Sequence, residues 1–181
     1  MSDSERAAAI LLERAEQHIM FHLGGPVAEQ VWRARVAGER PDADGWKPWH
    51  DPRENVAFHE AGHAIVMYLL GTRPPAVAAL VQTAETYGGF VSEAPEPPPA
   101  WPGRSDRQQI IERLKVFALV GPGDWRTLRG VVRRLSDQTR ALVVANWTTV
   151  SAVAARLLDR GELDGAELAG IIEATGPRRQ T

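Results

Sequence analysis

The segment from Phe58 to Val66 contains the pattern H-E-x-x-H, formed by His59, Glu60 and His63. On an α-helix, residues four apart lie one turn apart on the same face, so His59 and His63 can bind one metal ion together. Glu60 is rotated about 100° from His59, so its carboxylate lies beside such an ion and can reach a water molecule bound there. The two histidines can bind one ion in this way only if the segment is helical, and the residues on either side of the motif predict a helix.

The flanking residues supply the ends of that helix. Asp51 is a good N-cap, Pro52 suits the first helical position, and Glu54 completes a capping-box pattern. Gly71 follows the last apolar residues and is typical of a helix C-terminus. The sequence thus predicts a motif helix over residues 52–71, with H-E-x-x-H near its middle.

The chain contains no cysteine, so any metal site must use histidine and carboxylate ligands. Zinc accepts imidazole nitrogen and carboxylate oxygen, and catalytic zinc keeps one position open for water. It lowers the pKa of that water toward about 7, and a carboxylate beside it can act as general base. The pattern predicts a Zn²⁺ cofactor held by His59 and His63, with Glu60 as the catalytic base of a hydrolase.

The motif residues and those that follow them resemble the sequence of a known family. His59-Glu60-Ala61-Gly62-His63, followed by aliphatic residues, resembles the peptidase domain of the FtsH family of AAA-associated zinc metallopeptidases, especially small relatives without the ATPase. Two predicted strands at 76–81 and 87–91 and predicted helices over 146–168 extend the likeness. The metzincin extension fails, because Val66 and Leu69 stand where it needs glycine and histidine.

The resemblance implies that a distant aspartate is the third metal ligand. In that family the ligand aspartate lies near a helix start with small residues before it, and small relatives often have a tryptophan after it. Asp124 follows Gly-Pro-Gly and precedes a tryptophan, and we predict it as the ligand. A plain helix N-cap is the alternative role for Asp124. Asp137 is the next candidate. A thermolysin-like enzyme would instead use a downstream glutamate as the third ligand. Glu85 and Glu93 lie downstream of the motif but lack supporting context for that role.

The chain also departs from the family, because no Gly-Gly-Arg-Ala-Ala-Glu-like segment follows the predicted strands. A similar string, residues 24–29, lies upstream of the motif instead. One interpretation is a rearranged family element supplied from the N-terminus. The other is a helix break, with one helix ending near Leu23 and a second running from Pro26 to Ala37. Either way, we expect residues 1–40 to pack on the motif helix.

A glycine in the middle of a helix, as at Gly62, costs about 1 kcal/mol relative to alanine. It indicates either the close approach of another backbone or substrate, or a tolerated glycine. His18 and His22 form a second pair four residues apart, but Ile19 stands where the glutamate would be. We assign this second pair a surface or core-edge role.

The remaining chain predicts a mostly α (α+β) fold, a zincin-like helical domain with a small β-element. We expect one domain over residues 1–175, a tail over 176–181 and a Pro-rich loop over 94–104. Further helices are predicted over 105–120, 124–135, 136–160 and, after an Asp164 cap, at the C-terminus.

Composition narrows the function. A net charge of −2 gives no electrostatic reason to expect nucleic acid, and no apolar run is long enough to span a bilayer. The N-terminus lacks the pattern of a signal peptide, so a cytoplasmic location is the expectation. Without a P-loop, any ATP-driven unfolding needs a separate unfoldase or adaptor.

Together these features predict a zinc-dependent endopeptidase, ATP-independent by itself, that acts on unfolded or flexible polypeptides. The alternative is a catalytically silent, zinc-stabilised binding or regulatory module. The retained Glu60, which is not needed to bind metal, favours the enzyme.

Overall fold

A computed structural model of the chain describes residues 2–36, 51–71, 75–82, 87–92, 105–120 and 125–177. Within these ranges the protein is mostly helical with one small antiparallel sheet, as the sequence predicts. Its elements are α1 (Asp3–Val36), α2 (Pro52–Leu70), β1 (Val77–Gln82), β2 (Tyr87–Ser92), α3 (Asp106–Val120), α4 (Trp125–Ala145), α5 (Trp147–Arg160), β3 (Glu162–Asp164) and α6 (Gly165–Thr175).

The motif helix α2 begins and ends where the sequence predicts. The Asp51 side chain accepts a hydrogen bond of 2.9 Å from the backbone N–H of Arg53, and Pro52 occupies the first turn. Gly71 closes the helix in the left-handed conformation, with φ of 65°, and its N–H donates to the carbonyl of Tyr68. The middle of α2, from Glu60 to Met67, is buried.

The N-terminal segment is one continuous helix, so the predicted break at Gly24-Gly25-Pro26 is wrong. It starts at a capping box, in which the Glu5 N–H donates to Ser2 Oγ at 3.2 Å and the Ser2 N–H donates to Glu5 at 2.6 Å. Pro26 lies inside α1. A proline there removes a backbone hydrogen bond at a cost of about 3 kcal/mol. Burial of α1 residues on both sides, Ile19 and Val31 among them, offsets this cost.

The two glycines that suggested a break instead allow α1 to cross α2 closely. A Cβ built on Gly24 lies 2.8 Å from the Gly62 carbonyl oxygen, and one built on Gly62 lies 2.3 Å from the Gly24 carbonyl oxygen. Real Cβ atoms are not found so close, so only glycine fits at either position. The prediction that the N-terminal segment packs on the motif helix is confirmed, and Gly62 marks a close backbone approach.

The helices after α3 also differ from the prediction. We expected a boundary between Leu135 and Ser136, but α4 continues to Ala145 and turns at Asn146. Leu135 is fully buried, and Thr139 Oγ1 donates to its carbonyl at 2.8 Å, as a residue in the next helical turn does. Burial of an apolar face thus overrides the capping tendency of a serine.

Asn146 produces the real bend. Its side chain is buried and donates to the Leu142 carbonyl at 2.8 Å, and the helices on either side meet at 76°. Within the described ranges, no single helix has the length and apolar character to cross a membrane, although the bent α4–α5 pair together passes by length and composition.

The sheet has the order β2-β1-β3 and is antiparallel throughout. The predicted strand pair is confirmed as β1 and β2, with Val77 opposite Ser92 and Gln82 opposite Tyr87. The short strand β3 was not predicted, because three residues between two helices give no alternating pattern. Its central residue, Leu163, is fully buried, and Asp164 then caps α6 through the Glu167 N–H at 2.8 Å, as predicted.

The core surrounds α2, which packs against α1, α5 and the sheet. Fully buried residues from each element meet there, including Ile19, Ile65, Ala78, Val153 and Leu163. The predicted Pro-rich loop at 94–104 and most of the predicted tail lie outside the described residues.

Candidate metal centre

Three side chains from two helices converge at one point. His59 is half-buried and His63 is buried, both in the middle of α2, and Asp106 comes from the first turn of α3. Asp106 Oδ2 lies 2.9 Å from His59 Nε2 and 3.3 Å from His63 Nε2. One ligand atom from each of the three residues lies within 4.8 Å of the others, so the group can hold a metal ion.

Asp106 reaches this point because of how α3 begins. Ser105 and Gln108 form a capping box at the start of the helix predicted over 105–120, with the Ser105 N–H donating to Gln108 Oε1 at 3.0 Å and the Gln108 N–H donating to Ser105 Oγ at 3.4 Å. This cap starts the helix at Asp106 and directs its carboxylate toward α1 and α2.

The spacing of the donor atoms fits a small divalent metal. A tetrahedral ion with bonds of about 2.0–2.1 Å keeps its ligand atoms about 3.3 Å apart. The distance from Asp106 Oδ2 to His63 Nε2 is 3.3 Å, and the distance to His59 Nε2 is shorter at 2.9 Å. Two imidazoles and one carboxylate are also a donor set that zinc accepts, with a fourth position left open.

Gly25 leaves the space that these ligand atoms need. A Cβ built on Gly25 would lie 2.5 Å from Nε2 of His59 and 2.5 Å from Nε2 of His63. Any side chain at this position would therefore collide with both ring nitrogens that face the metal position. The backbone of α1 forms one wall of the candidate site.

Helix α1 supplies an outer partner to each of the three candidate ligands. The Phe21 carbonyl accepts a hydrogen bond from His63 Nδ1 at 2.7 Å, which leaves His63 Nε2 to bind a metal. His22 Nδ1 lies 3.0 Å from Asp106 Oδ1, and Glu29 Oε2 lies 3.5 Å from His59 Nδ1. Such outer partners orient metal ligands in known metalloproteins.

The charges of the group are strongly coupled. Burial acts to lower the pKa of His59, but hydrogen bonds to Asp106 and Glu29 and the negative charge of Glu60 outweigh it and raise this pKa to about 10. Burial acts to raise the pKa of Asp106, but hydrogen bonds from His22, His59 and His63 hold it well below its usual range. His59 and Asp106 therefore stabilise each other's charged forms.

Glu60 lies beside the three ligands without joining them. It is 5% exposed. Burial raises its pKa above the usual value, against the opposing influence of His63 and His59. A raised pKa brings a carboxylate closer to the range in which it accepts and returns protons near neutral pH.

A cavity of about 290 Å³ opens next to Glu60. Its walls come from α1, α2 and β2 and include Glu29, Asn55, His59, Glu60 and Gly89. A Cβ on Gly89 would lie 2.4 Å from Glu60 Cγ and 2.7 Å from Glu60 Oε1, so the glycine brings the strand backbone against the carboxylate side chain. Asn55 Oδ1 is buried in this wall and has no hydrogen-bond partner among the described residues.

The structure brings His59, Glu60 and His63 together as the sequence predicts. The predicted third ligand, Asp124, lies outside the described residues, so its role stays a prediction. Asp137 is exposed on α4 and does not join the group. Within the described ranges, the carboxylate that meets both histidines is Asp106.

Sequence reasoning missed Asp106, His22 and Glu29. The sequence predicts a helix that begins near residue 105, but it does not indicate what the Asp106 side chain contacts. The 12% exposure of His22 agrees with the predicted core-edge role, but its contact with Asp106 does not follow from the sequence. Glu29 appeared only as the last residue of the string that resembles the family segment.

Comparison of the chain with protein-family models, curated proteins and solved structures found no match.

Proposed function

We propose that the protein is a zinc-dependent endopeptidase whose metal is held by His59, His63 and Asp106. The observation that carries this proposal is the convergence of these three side chains beside the buried carboxylate of Glu60. In this proposal Asp106 has the role of third ligand, which the sequence predicts for Asp124. A bound zinc would supply a Lewis acid and a water of lowered pKa.

Glu60 is the general base in this proposal. Its carboxylate lies on α2 next to His59 and faces the cavity, so it can accept the proton of the attacking water. It then returns that proton to the leaving amine. Its burial excludes bulk water from the carboxylate, and Gly89 limits how far the side chain can move.

The cavity and β2 support a polypeptide as substrate. At about 290 Å³ the cavity is at the small end of ligand pockets, a size for part of an extended chain. β2 is one of the two edge strands of the described sheet, and its Gly88 and Gly89 line the cavity. An extended substrate segment that adds to this strand would pass in front of Glu60.

The proposal extends to the state of the substrate. Only an extended segment can lie along a strand, so unfolded or flexible proteins are the expected substrates, and a folded substrate needs a separate unfoldase. The likeness of His59-Glu60-Ala61-Gly62-His63 to FtsH-family peptidases supports the same reaction class.

The test compares the wild-type protein with Glu60→Gln. The purified proteins are loaded with zinc, assayed for metal content, and mixed with fluorescently labelled unfolded casein. We expect Glu60→Gln to keep its zinc and fold, and to lose hydrolysis by about 10²–10⁴-fold, because an amide cannot accept the proton.

Two outcomes would contradict the proposal. Cleavage by Glu60→Gln at the wild-type rate would remove Glu60 as the base. A wild-type protein that binds zinc, gains thermal stability from it and cleaves nothing would instead favour the alternative, a zinc-stabilised binding module.

A further inference from the structure

The three candidate ligands differ in what holds them from outside. His63 is held by a backbone carbonyl of α1, and His59 lies near the Glu29 carboxylate. Asp106 is held by a histidine, His22, which belongs to the pair that the sequence did not connect with the site. A histidine that holds a metal-ligating carboxylate affects how that carboxylate can bind.

We propose that His22 is a positioning residue that occupies one oxygen of Asp106, so that only the other oxygen can bind the metal. The inference rests on the proposed metal centre and adds to it a determinant of coordination number. It assigns His22 no contact with substrate or metal.

The two oxygens of Asp106 have different partners. Oδ1 lies 3.0 Å from His22 Nδ1, whereas Oδ2 lies 2.9 Å from His59 Nε2 and 3.3 Å from His63 Nε2. A free carboxylate can bind a metal through one oxygen or through both. With Oδ1 accepting a hydrogen bond from His22, Asp106 presents Oδ2 alone.

His22 is held firmly enough to impose this choice. Its ring lies edge-on to Phe21, with centroids 4.8 Å apart and an interplanar angle of 64°, and its side chain is 12% exposed. It also stands one residue from the Phe21 carbonyl that orients His63. A single turn of α1 therefore fixes two of the three ligands at once.

The consequence for chemistry is an open coordination position. Three single-atom protein ligands leave the fourth position of a tetrahedral site for water. If Asp106 bound through both oxygens, its second oxygen would compete for that position. His22 thereby keeps available the water from which Glu60 is proposed to take a proton.

The experiment uses the full-length protein loaded with Co²⁺, whose visible spectrum separates four-coordinate from five-coordinate sites, and measures Zn²⁺ affinity by chelator competition. His22→Phe keeps a ring but removes the donor. His22→Asn places an amide N–H near the position of Nδ1. We expect His22→Phe to weaken zinc binding by about 10–100-fold and to shift the Co²⁺ spectrum toward higher coordination. His22→Asn should retain most of the affinity and the wild-type spectrum.

His18→Phe is the matched control, because His18 lies one turn earlier on the same helix and is exposed. It should leave both readouts unchanged. A wild-type affinity and spectrum in His22→Phe would overturn the proposal. Equal damage in His22→Phe and His22→Asn would also overturn it, because packing and not the hydrogen bond would then be responsible.

The outcome is separable from that of the proposed function, because both readouts concern metal and neither requires hydrolysis. Unchanged metal binding in His22→Phe, with casein hydrolysis still dependent on Glu60, would refute only the role of His22. The expected spectral shift in a protein without hydrolysis would refute only the peptidase.

Discussion

The protein carries two histidine pairs with the same spacing, and they have different fates. His59 and His63 on α2 both reach Asp106. Of the pair on α1, His22 reaches Asp106 while His18 is exposed. Spacing of four residues places two rings on one helical face, but the element opposite that face decides what they do.

The faces opposite the two pairs explain the contrast. Across from His59 and His63, α1 presents Gly25, whose missing side chain leaves room for a metal position, and α3 presents its first turn. Opposite His22, α3 presents the same residue, Asp106, which contacts His22 through its other oxygen, Oδ1. A metal centre thus needs a gap as well as ligands.

Replacing single histidines of each pair tests most directly whether the two pairs differ in metal binding. We expect His59→Ala and His63→Ala to lose bound zinc and hydrolysis, by more than the roughly 10–100-fold that follows loss of an outer partner. His18→Ala should keep both. Elemental analysis after gel filtration, with circular dichroism as a folding control, measures the difference. Full zinc occupancy in His59→Ala would show that zinc does not bind at the proposed site.

The third ligand offers the next test. Asp106→Asn should cost most of the zinc affinity, because a carboxamide lacks the negative charge that binds the ion. Asp124→Asn is the matched variant, since the sequence predicts that residue as the ligand. Chelator competition on both proteins decides between them. A loss of affinity confined to Asp124→Asn would confirm the sequence prediction. Asp106 would then lie next to the metal site without binding the ion.

Zinc affinity should depend on pH through His59. With its pKa raised to about 10, His59 is protonated in the metal-free protein at neutral pH, and zinc must displace that proton. Apparent affinity should therefore rise about tenfold per pH unit from pH 7 to 9. An ordinary histidine with a pKa near 6.5 would give a plateau there. Titrations at several pH values measure the slope.

Glu29→Gln sharpens this prediction, because it removes the carboxylate that lies 3.5 Å from His59 Nδ1 and leaves Asp106 at Nε2. The pKa of His59 should fall, and the plateau should begin at lower pH. A flat profile in the wild-type protein over pH 7–9 would show that His59 is not held as a cation.

Sequence alone predicts the parts of the site that are local. The motif helix, its caps and the placement of His59, Glu60 and His63 follow from residues within about twenty positions of each other. Asp106 and His22 could not be predicted as partners, since 84 residues separate them and their contact depends on how α1 and α3 pack. Chemistry carried by one helix is readable from sequence, but chemistry shared between helices is not.

The two wrong boundaries have a related cause. Gly24-Gly25-Pro26 contains strong helix-breaking residues, yet α1 continues because the glycines make its contact with α2 possible. Ser136 gives a plausible cap, yet the buried face of α4 continues through it. In both places tertiary packing overrides a local preference of about 1–3 kcal/mol.

The smallest expected effect tests the close crossing of α1 and α2 by placing one methyl group at each of two helical glycines, Gly62 and Gly130. In Gly62→Ala the new Cβ would meet the Gly24 carbonyl oxygen at 2.3 Å and Ala28 Cβ at 2.5 Å, so α1 and α2 must separate. We expect a loss of about 1–3 kcal/mol in the free energy of unfolding, as for other overpacked cores. Gly130→Ala is the matched control, because nothing lies within 4 Å of a Cβ built there. It should stabilise α4 by about 0.5–1 kcal/mol. Urea denaturation of the metal-free proteins measures both. Opposite signs would show that the close crossing of α1 and α2 depends on glycine. A stabilised Gly62→Ala would mean that α1 moves aside at no cost, and α1 would then be too mobile to hold the outer partners of the metal ligands in place.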